Sequence, residues 1–314
     1  MSIMTNVKDL FQQKTLLSFE LFPPKTDRGM EALCRESGVL DQLYLLNPDY
    51  ISCTYRTDGT NAVRHFEVLS KILEDNKTRP LAHITCVGNT RDSIREKLDR
   101  CLDMGIDHIL ALRGDIPMDT TDLVHDLPHA TDLVEFIRKE YGDQFTIAVS
   151  GSPEGHIQCT SLEADISYLK MKQDLGADYA ITQLCWDMEQ FKYWYEAVRK
   201  AGVTLPIDIG VMPVVDSAAT INMALSHNGC VIPRALSEII SRHWIFPNVF
   251  APDEPEEVVR KKKEEFKEEG IRYTIDQINE YLSMGVEGIH LFALNRSENV
   301  TRIVKESNLS KLLN

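Results

Sequence analysis

The sequence contains none of the features that mark membrane, secreted or zinc-stabilised proteins. Its 314 residues include no stretch of about 18 uninterrupted apolar residues, so we expect no membrane span. The segment Met1–Leu17 mixes Lys8 and Asp9 into its apolar residues and has no signal-peptide core. Seven cysteines form no Cys-x-x-Cys pair, which argues against structural zinc and a disulfide framework. These absences predict a cytoplasmic protein with reduced thiols.

Basic residues are fewer than acidic residues. Lysine and arginine total 34 against 48 aspartate and glutamate, and the net charge of −14 opposes binding to nucleic acid or to anionic membranes. Hydrophobic residues at 43% and charged residues at 26% are ordinary globular values, which excludes a disordered chain. The sequence therefore predicts a folded protein that binds small molecules.

The chain repeats one unit, in which an amphipathic stretch ends at a glycine and a short apolar run follows. The four glycines of this kind are Gly105, Gly176, Gly202 and Gly285. This order is typical of a helix, a tight loop and a buried parallel strand. Eight apolar runs fit the strand role: 16–22, 50–54, 81–87, 108–112, 145–149, 179–182, 206–211 and 288–293.

Eight such units predict an α/β fold of the (β/α)8 TIM-barrel type. We expect one domain over residues 1–314, with extra helices inserted at about 216–285 before the last strand. An open, doubly wound sheet is the alternative. The strand count and the absence of Gly-x-Gly-x-x-Gly after the first strand disfavour it.

Polar residues close most of the predicted strands. They are Glu20, Thr54-Tyr55, His83, Arg113-Gly114-Asp115, Ser150-Gly-Ser152, Thr182-Gln183 and Asn295-Arg296. In a barrel the carboxyl ends of all strands meet at one face, so we expect an active site there.

Glu20 is the strongest candidate for a catalytic residue among them. It lies between Phe19 and Leu21, where desolvation is expected to raise the carboxyl pKa into the range of a general acid. A structural salt bridge with Arg113 or Lys25 is the alternative interpretation. The spacing of histidine, cysteine and carboxylate residues predicts no metal site.

Several motifs together resemble methylenetetrahydrofolate reductases of the short bacterial type. They are Ser18-Phe-Glu-Leu-Phe-Pro-Pro24, Ser52-Cys-Thr-Tyr55, His83-Ile-Thr-Cys86, Ala111-Leu-Arg-Gly-Asp115, Ala180-Ile-Thr-Gln183 and Leu294-Asn-Arg296. The resemblance implies a TIM barrel with non-covalent FAD. It also implies reduction of 5,10-methylenetetrahydrofolate to 5-methyltetrahydrofolate by NADH or NADPH, in one-carbon metabolism and methionine biosynthesis.

The same resemblance implies roles for individual residues. Glu20 becomes the general acid that opens the folate ring, and Asp115 holds the pterin beside the flavin. The residues implied to bind the cofactor are Thr54, Tyr55, His83, Arg113, Gly114, Asp115, Ala130, His156, Asp165 and Lys172. Thr54, Asp115, Gln183 and Arg296 are implied to contact the substrate. Asp165 and Lys172 are seven residues apart and share one helix face, where they suit adenosine hydroxyls and pyrophosphate respectively.

Four positions depart from the family pattern: Ser152, Tyr168, Ala219 and Met223. They affect contacts to the folate tail and to the nicotinamide more than the chemistry, and leave room for an electron-donor partner protein. A folate-binding TIM-barrel methyltransferase, a metal-dependent lyase and a non-catalytic assembly subunit are the alternatives. The resemblance further implies a homo-oligomer.

Overall fold

The computed structural model describes residues 6–56, 60–116, 126–226, 229–243 and 255–313. Eight parallel strands follow one another around a closed barrel. They are β1 (Leu16–Leu21), β2 (Tyr50–Cys53), β3 (Arg79–Thr85), β4 (His108–Leu112), β5 (Thr146–Gly151), β6 (Tyr179–Thr182), β7 (Ile207–Val211) and β8 (Gly288–Phe292).

Strand β1 pairs on both sides, which decides between the two predicted architectures. Glu20 lies opposite Ser52 of β2 and opposite Phe292 of β8. The (β/α)8 barrel is therefore confirmed, and the open sheet is wrong. The strand ends lie within two residues of their predicted positions.

The helices of the described ranges surround the barrel. They are α1 (Val7–Leu10), α2 (Asp27–Cys34), α3 (Val39–Tyr44), α4 (Ala62–Asp75), α5 (Arg91–Met104), α6 (Ala130–Tyr141), α7 (Leu162–Asp174), α8 (Met188–Lys200), α9 (Ser217–Ala224), α10 (Arg234–Arg242), α11 (Glu256–Ser283) and α12 (Ser297–Glu306), followed by a 3₁₀ turn at Asn308–Leu312. Helices α9, α10 and α11 lie between β7 and β8. The predicted turn glycines have positive φ, as at Gly105 (84°), where the left-handed backbone ends α5.

Side chains along each strand point alternately to two cores, one between the strands and the helices and one inside the barrel. In β1, Leu17, Phe19 and Leu21 belong to the main apolar cluster beneath the helices. The intervening residues Ser18 and Glu20 point into the barrel, where they meet polar side chains of other strands. The barrel interior toward the carboxyl ends of the strands is thus polar, although most barrels fill their interior with aliphatic residues.

Helix α1 closes the amino-terminal end of the barrel. Asn6, which caps it, accepts a hydrogen bond from Thr146 Oγ1 at the start of β5 (2.9 Å). Phe11 places its ring centroid 5.0 Å from that of Tyr179 at the start of β6. The amino-terminal end of the barrel is therefore covered, and the carboxyl end is the one left open.

Helix α11 packs directly on the segment after β7. A Cβ atom added at Gly270 would lie 2.0 Å from the carbonyl oxygen of Val214. The Val214 N–H donates to Thr274 Oγ1 (3.0 Å) one turn further along the helix. This close approach fixes the loop after β7 relative to α11.

None of the helices in the described ranges combines the length and the apolar character that a membrane crossing requires. All seven cysteines are free thiols.

Candidate active site

The carboxyl ends of the strands carry the residues that the sequence singled out. Glu20 closes β1, Thr54 and Tyr55 follow β2, and His83 lies in β3. Arg113, Gly114 and Asp115 follow β4, His156 follows β5, Gln183 follows β6, and Arg296 caps α12 after β8. Ala130 is the first residue of α6. The fold thus gathers these positions at one end of the barrel.

Glu20 lies in a nearly enclosed polar pocket, with 12% of its side chain exposed. Thr54 Oγ1 donates to Glu20 Oε1 (2.7 Å), and Ser52 Oγ lies 3.4 Å from Oε2. Oε2 also lies 3.6 Å from His83 Nε2 and 3.5 Å from His290 Nε2. The basic side chains closest to its carboxylate are therefore two histidines, rather than Arg113 or Lys25.

The predicted raised pKa of Glu20 is wrong. Burial alone raises this pKa, but the positive potential of His83, the hydrogen bond and charge of His290, and the hydrogen bond from Thr54 together lower it to about 2. The sequence showed the apolar neighbours of Glu20 along β1, but not the histidines that reach it across the barrel. At neutral pH Glu20 is therefore a carboxylate.

A second group of charged residues surrounds the end of β5. Lys172 Nζ donates to the carbonyl oxygen of Ser150 (2.8 Å). Burial lowers the pKa of Lys172 to about 8, although Asp165 acts in the opposite direction. The carboxylate of Asp165 accepts the backbone N–H of His156, and burial raises its pKa more than Lys172 and His156 lower it.

The turn after β4 borders this second group. Arg113 Nε donates to the carbonyl oxygen of Gly114 (3.1 Å), whose φ of 86° requires glycine. Burial and, after it, the charge of Arg113 lower the pKa of His156. Asp115 is exposed, and residues 117–125 lie outside the described ranges.

The ring of Tyr55 is packed on two sides. His65 meets it edge-on, with 5.3 Å between the ring centroids, and Lys97 Nζ lies 4.8 Å from its centroid. Ala130 is buried at the start of α6.

Gln183 and Arg296 follow two different strands, β6 and β8. Gln183 Oε1 accepts the backbone N–H of Leu184 (2.9 Å), so its carbonyl group is turned toward its own backbone. Arg296 is exposed at a cavity of about 230 Å³. That cavity is lined by Phe22, Met212, Pro213, Val215, Asp216, Ala219, Leu294 and Arg296.

The four departures from the family pattern occupy three places. Ala219 lines the cavity, and Met223 lies one turn further along α9. Ser152 follows β5 and is half-buried. Tyr168 is exposed on α7, between Asp165 and Lys172 in sequence.

Sequence reasoning missed three residues beneath Glu20: Ser18, Asp208 and His290. All three are fully buried. They lie within the strands, whereas the predicted site residues close them. A two-residue period was the available signal, since Ser18 and Glu20 alternate with the apolar residues of β1.

Within the described part of the chain, no group of three or more histidine, cysteine and carboxylate side chains is arranged to hold a metal ion. The site instead offers one enclosed carboxylate, two histidines and a separate cationic group. A family model described as methylenetetrahydrofolate reductase matches residues 5–308. The chain belongs to the methylenetetrahydrofolate reductase family. This confirms the resemblance that the motifs indicated.

Individual relatives agree with the family model. The chain is 30% identical over 302 residues to methylenetetrahydrofolate reductase 1 of Schizosaccharomyces pombe, covering 95% of this chain and 47% of that protein. It is 30% identical over 289 residues to 5,10-methylenetetrahydrofolate reductase of Pectobacterium carotovorum, covering 91% of this chain and 88% of that protein. The chain spans about half the length of the eukaryotic relatives. Its match to methylenetetrahydrofolate reductase (NADH) 1 of Arabidopsis thaliana, for example, covers 53% of that protein.

A solved structure shares the fold. An uncharacterised Clostridium thermocellum protein that binds two copies of 5-methyl-5,6,7,8-tetrahydrofolic acid superposes with a TM-score of 0.63 at 16% identity. The match covers 98% of this chain and all of that one. At this identity the likeness shows the barrel fold alone.

Proposed function

We propose that this chain reduces 5,10-methylenetetrahydrofolate to 5-methyltetrahydrofolate, with NADH or NADPH as reductant and non-covalent FAD as cofactor. Family membership supports the reaction class. The observation that carries the proposal is the enclosed Glu20 carboxylate, held by Thr54 and faced by two histidines at the open end of the barrel. Such a group can pass a proton to a bound ligand in a site that excludes bulk water.

The residues present fit a flavin dinucleotide. The Lys172 ammonium suits a pyrophosphate, and the Asp165 carboxylate suits ribose hydroxyls. His83 presents a buried Nε2 with no hydrogen-bond partner among the described residues, which is a group that a bound ligand could satisfy. When bound, FAD supplies the two-electron hydride chemistry that no side chain of the chain can perform.

The chain itself would bind the substrates, orient them and move one proton. We assign the remaining cofactor contacts to Thr54, Tyr55, Arg113, Gly114, Ala130 and His156. Asp115 and Gln183 would hold the pterin. The cavity beside Arg296 and Ala219 would receive the rest of the folate, since a guanidinium suits an anionic ligand. Glu20 Oε2 would deliver a proton to the folate ring, which exposes the methylene carbon to reduction.

The test is anaerobic spectroscopy on the purified protein supplied with FAD. We expect a yellow protein whose colour NADH or NADPH bleaches and methylenetetrahydrofolate restores, with 5-methyltetrahydrofolate as product. A protein that neither retains FAD nor gains activity from added FAD would contradict the proposal.

The same measurement separates two alternatives. If neither nicotinamide bleaches the flavin, but chemically reduced flavin is reoxidised by the folate, the donor is a partner protein. If methyl transfer from folate proceeds without flavin, the chain is a methyltransferase.

We further propose that the chain acts in the cytoplasm as a homo-oligomer. Free thiols suit a reducing compartment, and the resemblance supports the assembly. Light scattering coupled to size exclusion tests the assembly, and a monomeric mass would contradict it.

A further inference from the structure

A continuous row of buried polar groups leads away from Glu20 into the barrel. His290 Nε2 lies 3.5 Å from Glu20 Oε2, and its other ring nitrogen, Nδ1, lies 2.7 Å from Ser18 Oγ. Ser18 Oγ lies 2.8 Å from Asp208 Oδ2, which also accepts a hydrogen bond from the Tyr50 hydroxyl (2.6 Å). The five residues come from four strands: β1, β2, β7 and β8.

Hydrogen-bond directions along this row follow from simple counting. The hydroxyl of Ser18 has one hydrogen, and an ionised Asp208 can only accept. If Ser18 donates to Asp208, its oxygen must accept from His290, so Nδ1 carries a proton. His290 Nε2 then faces the Glu20 carboxylate. Without a proton on this edge, two acceptors would face each other in a buried site.

Asp208 is held in place for this role at an energetic cost. Burial raises its pKa to about 6, against the opposing effects of His290, Tyr50 and Ser18. Its Oδ2 accepts from both Ser18 and Tyr50, and Ser18 connects it to His290 Nδ1. The neighbouring strand leaves room for it, since a Cβ atom at Gly288 would lie 2.6 Å from Asp208 Oδ1.

We propose that His290 holds the proton that Glu20 delivers, and that Ser18 and Asp208 are positioning residues that keep His290 in the required tautomer. This proposal rests on the proposed function. The proton leaves His290 Nε2, passes through Glu20 Oε2 and bonds to a ring nitrogen of the folate, while Glu20 returns to a carboxylate and His290 becomes neutral. A proton from solvent then restores His290, so each turnover consumes the one proton that the reduction requires.

His290 suits this task better than His83. Both present Nε2 to Glu20, but burial lowers the pKa of His83 more than the Glu20 charge raises it. His290 has the additional support of Ser18 and Asp208 on its other side. The separation of 3.5 Å is long for a hydrogen bond, as is common before a substrate closes the site.

The first test measures the two half-reactions of the holoenzyme in Ser18→Ala and Asp208→Asn. Reduction of the flavin by NADH needs no proton from Glu20 and should stay within about threefold of wild type. Reoxidation by methylenetetrahydrofolate should slow by about 10–100-fold at pH 7. Its pH profile should shift to lower pH in both variants, because Asp208→Asn removes the carboxylate charge behind Ser18 and Ser18→Ala removes the hydroxyl that connects this charge to His290, which faces Glu20, His83 and Tyr50.

Two further variants keep this test decisive. Ser18→Thr retains the hydroxyl and should restore the wild-type pH profile. His243→Gln replaces a buried histidine outside the row, at the end of α10, whose Nε2 lies 3.0 Å from Glu269 Oε1, and should leave both half-reactions near wild type. Equal slowing of both half-reactions in Ser18→Ala, or an unchanged pH profile, would overturn the proposal. If the wild-type holoenzyme performs neither half-reaction, the proposed function fails instead.

The second test does not depend on activity. With ¹⁵N-labelled histidine, the ring nitrogens of His290 can be assigned by comparison with His290→Gln. We expect a protonated Nδ1 at pH 7 in wild type, and a proton on Nε2 alone in Ser18→Ala, where Nδ1 has lost its acceptor. A wild-type Nδ1 without a proton would overturn the proposal.

Discussion

Glu20 shows how a single carboxylate combines enclosure with a low pKa. Its pKa of about 2 leaves it ionised at neutral pH, so it can act as an acid only if a neighbour supplies the proton. Glu20→Gln keeps the size of the side chain but cannot pass a proton. We expect flavin reduction by NADH within about tenfold of wild type, and reoxidation by methylenetetrahydrofolate slower by about 10²–10⁴-fold.

Stopped-flow absorbance of the flavin measures both steps of that variant. If both half-reactions slow equally, Glu20 organises the pocket and does not pass a proton. If neither slows, the acid lies elsewhere, and Asp115 is the next residue to replace.

Lys172 is a charged residue whose burial reduces the stability of the folded protein. The same charge suits the binding of a phosphate. In the folded protein it binds its proton less tightly than when unfolded, with a pKa of about 8 against 10.5. Below pH 8 the buried ammonium therefore destabilises the folded protein by its full amount. This destabilisation disappears as the pH rises to 10.5. Lys172→Met should therefore stabilise the flavin-free protein at pH 7 by about 1–3 kcal/mol, and by progressively less above pH 8.

The same substitution should weaken FAD binding by about tenfold or more, since a charge-assisted contact to phosphate is lost. Thermal unfolding without flavin and fluorescence titration with FAD measure the two effects. Lys170→Met is the matched control, because that ammonium bonds to Asp174 on the same helix. A destabilised Lys172→Met protein with unchanged FAD affinity would show that the lysine is structural.

Ala219 tests the cavity beside Arg296. A glutamine there could donate an amide hydrogen bond to bound folate, worth about 0.5–1.5 kcal/mol. We expect Ala219→Gln to lower the KM for methylenetetrahydrofolate about 2–10-fold, with flavin reduction unchanged. The neighbouring Ala218→Gln is the control, since Ala218 is exposed and does not line the cavity. An equal effect at both positions would place the folate elsewhere.

At the scale of helices and strands, repetition made the sequence informative. The glycines that end α5 and α7 and the apolar runs that follow them placed β4 and β6 at their observed bounds. The side-chain row beneath Glu20 was not predictable in the same way. Ser18 and His290 are 272 residues apart, and only barrel closure brings β1 and β8 together. The site was thus predictable where residues close strands, and not where they meet across the interior.

Helix α11 offers a test of close packing. Alanine is about 1 kcal/mol better than glycine in a helix, but its methyl group at position 270 would overlap the Val214 carbonyl oxygen. We expect Gly270→Ala to destabilise the protein by about 1–3 kcal/mol, with a lower Tm. Glu264→Ala, an exposed position of the same helix, should change stability by less than about 0.5 kcal/mol. A stabilised Gly270→Ala protein would mean that the loop after β7 yields easily.

For the whole molecule, closure makes the barrel and the helices before β8 one structural unit. Strand β1 cannot pair on both sides until β8 is in place, and α11 holds the loop after β7. We therefore propose that residues 1–314 form one domain, and expect a single calorimetric transition whose midpoint Gly270→Ala lowers as a whole. Two separate transitions would show that the helices at 216–285 unfold independently.

The pairing of β1 with β8 also bears on synthesis at the ribosome. At about 5–20 residues per second, roughly 14–54 s separate the synthesis of Ser18 from that of His290, 272 residues later. Until β8 has been synthesised, one edge of β1 lacks the partner that it has in the closed barrel. An inward-pointing charge is one means by which proteins discourage wrong strand pairing, and Glu20 supplies it. The residue proposed to pass a proton in the finished barrel would thus also protect the unfinished one from aggregation before a chaperone or β8 covers it.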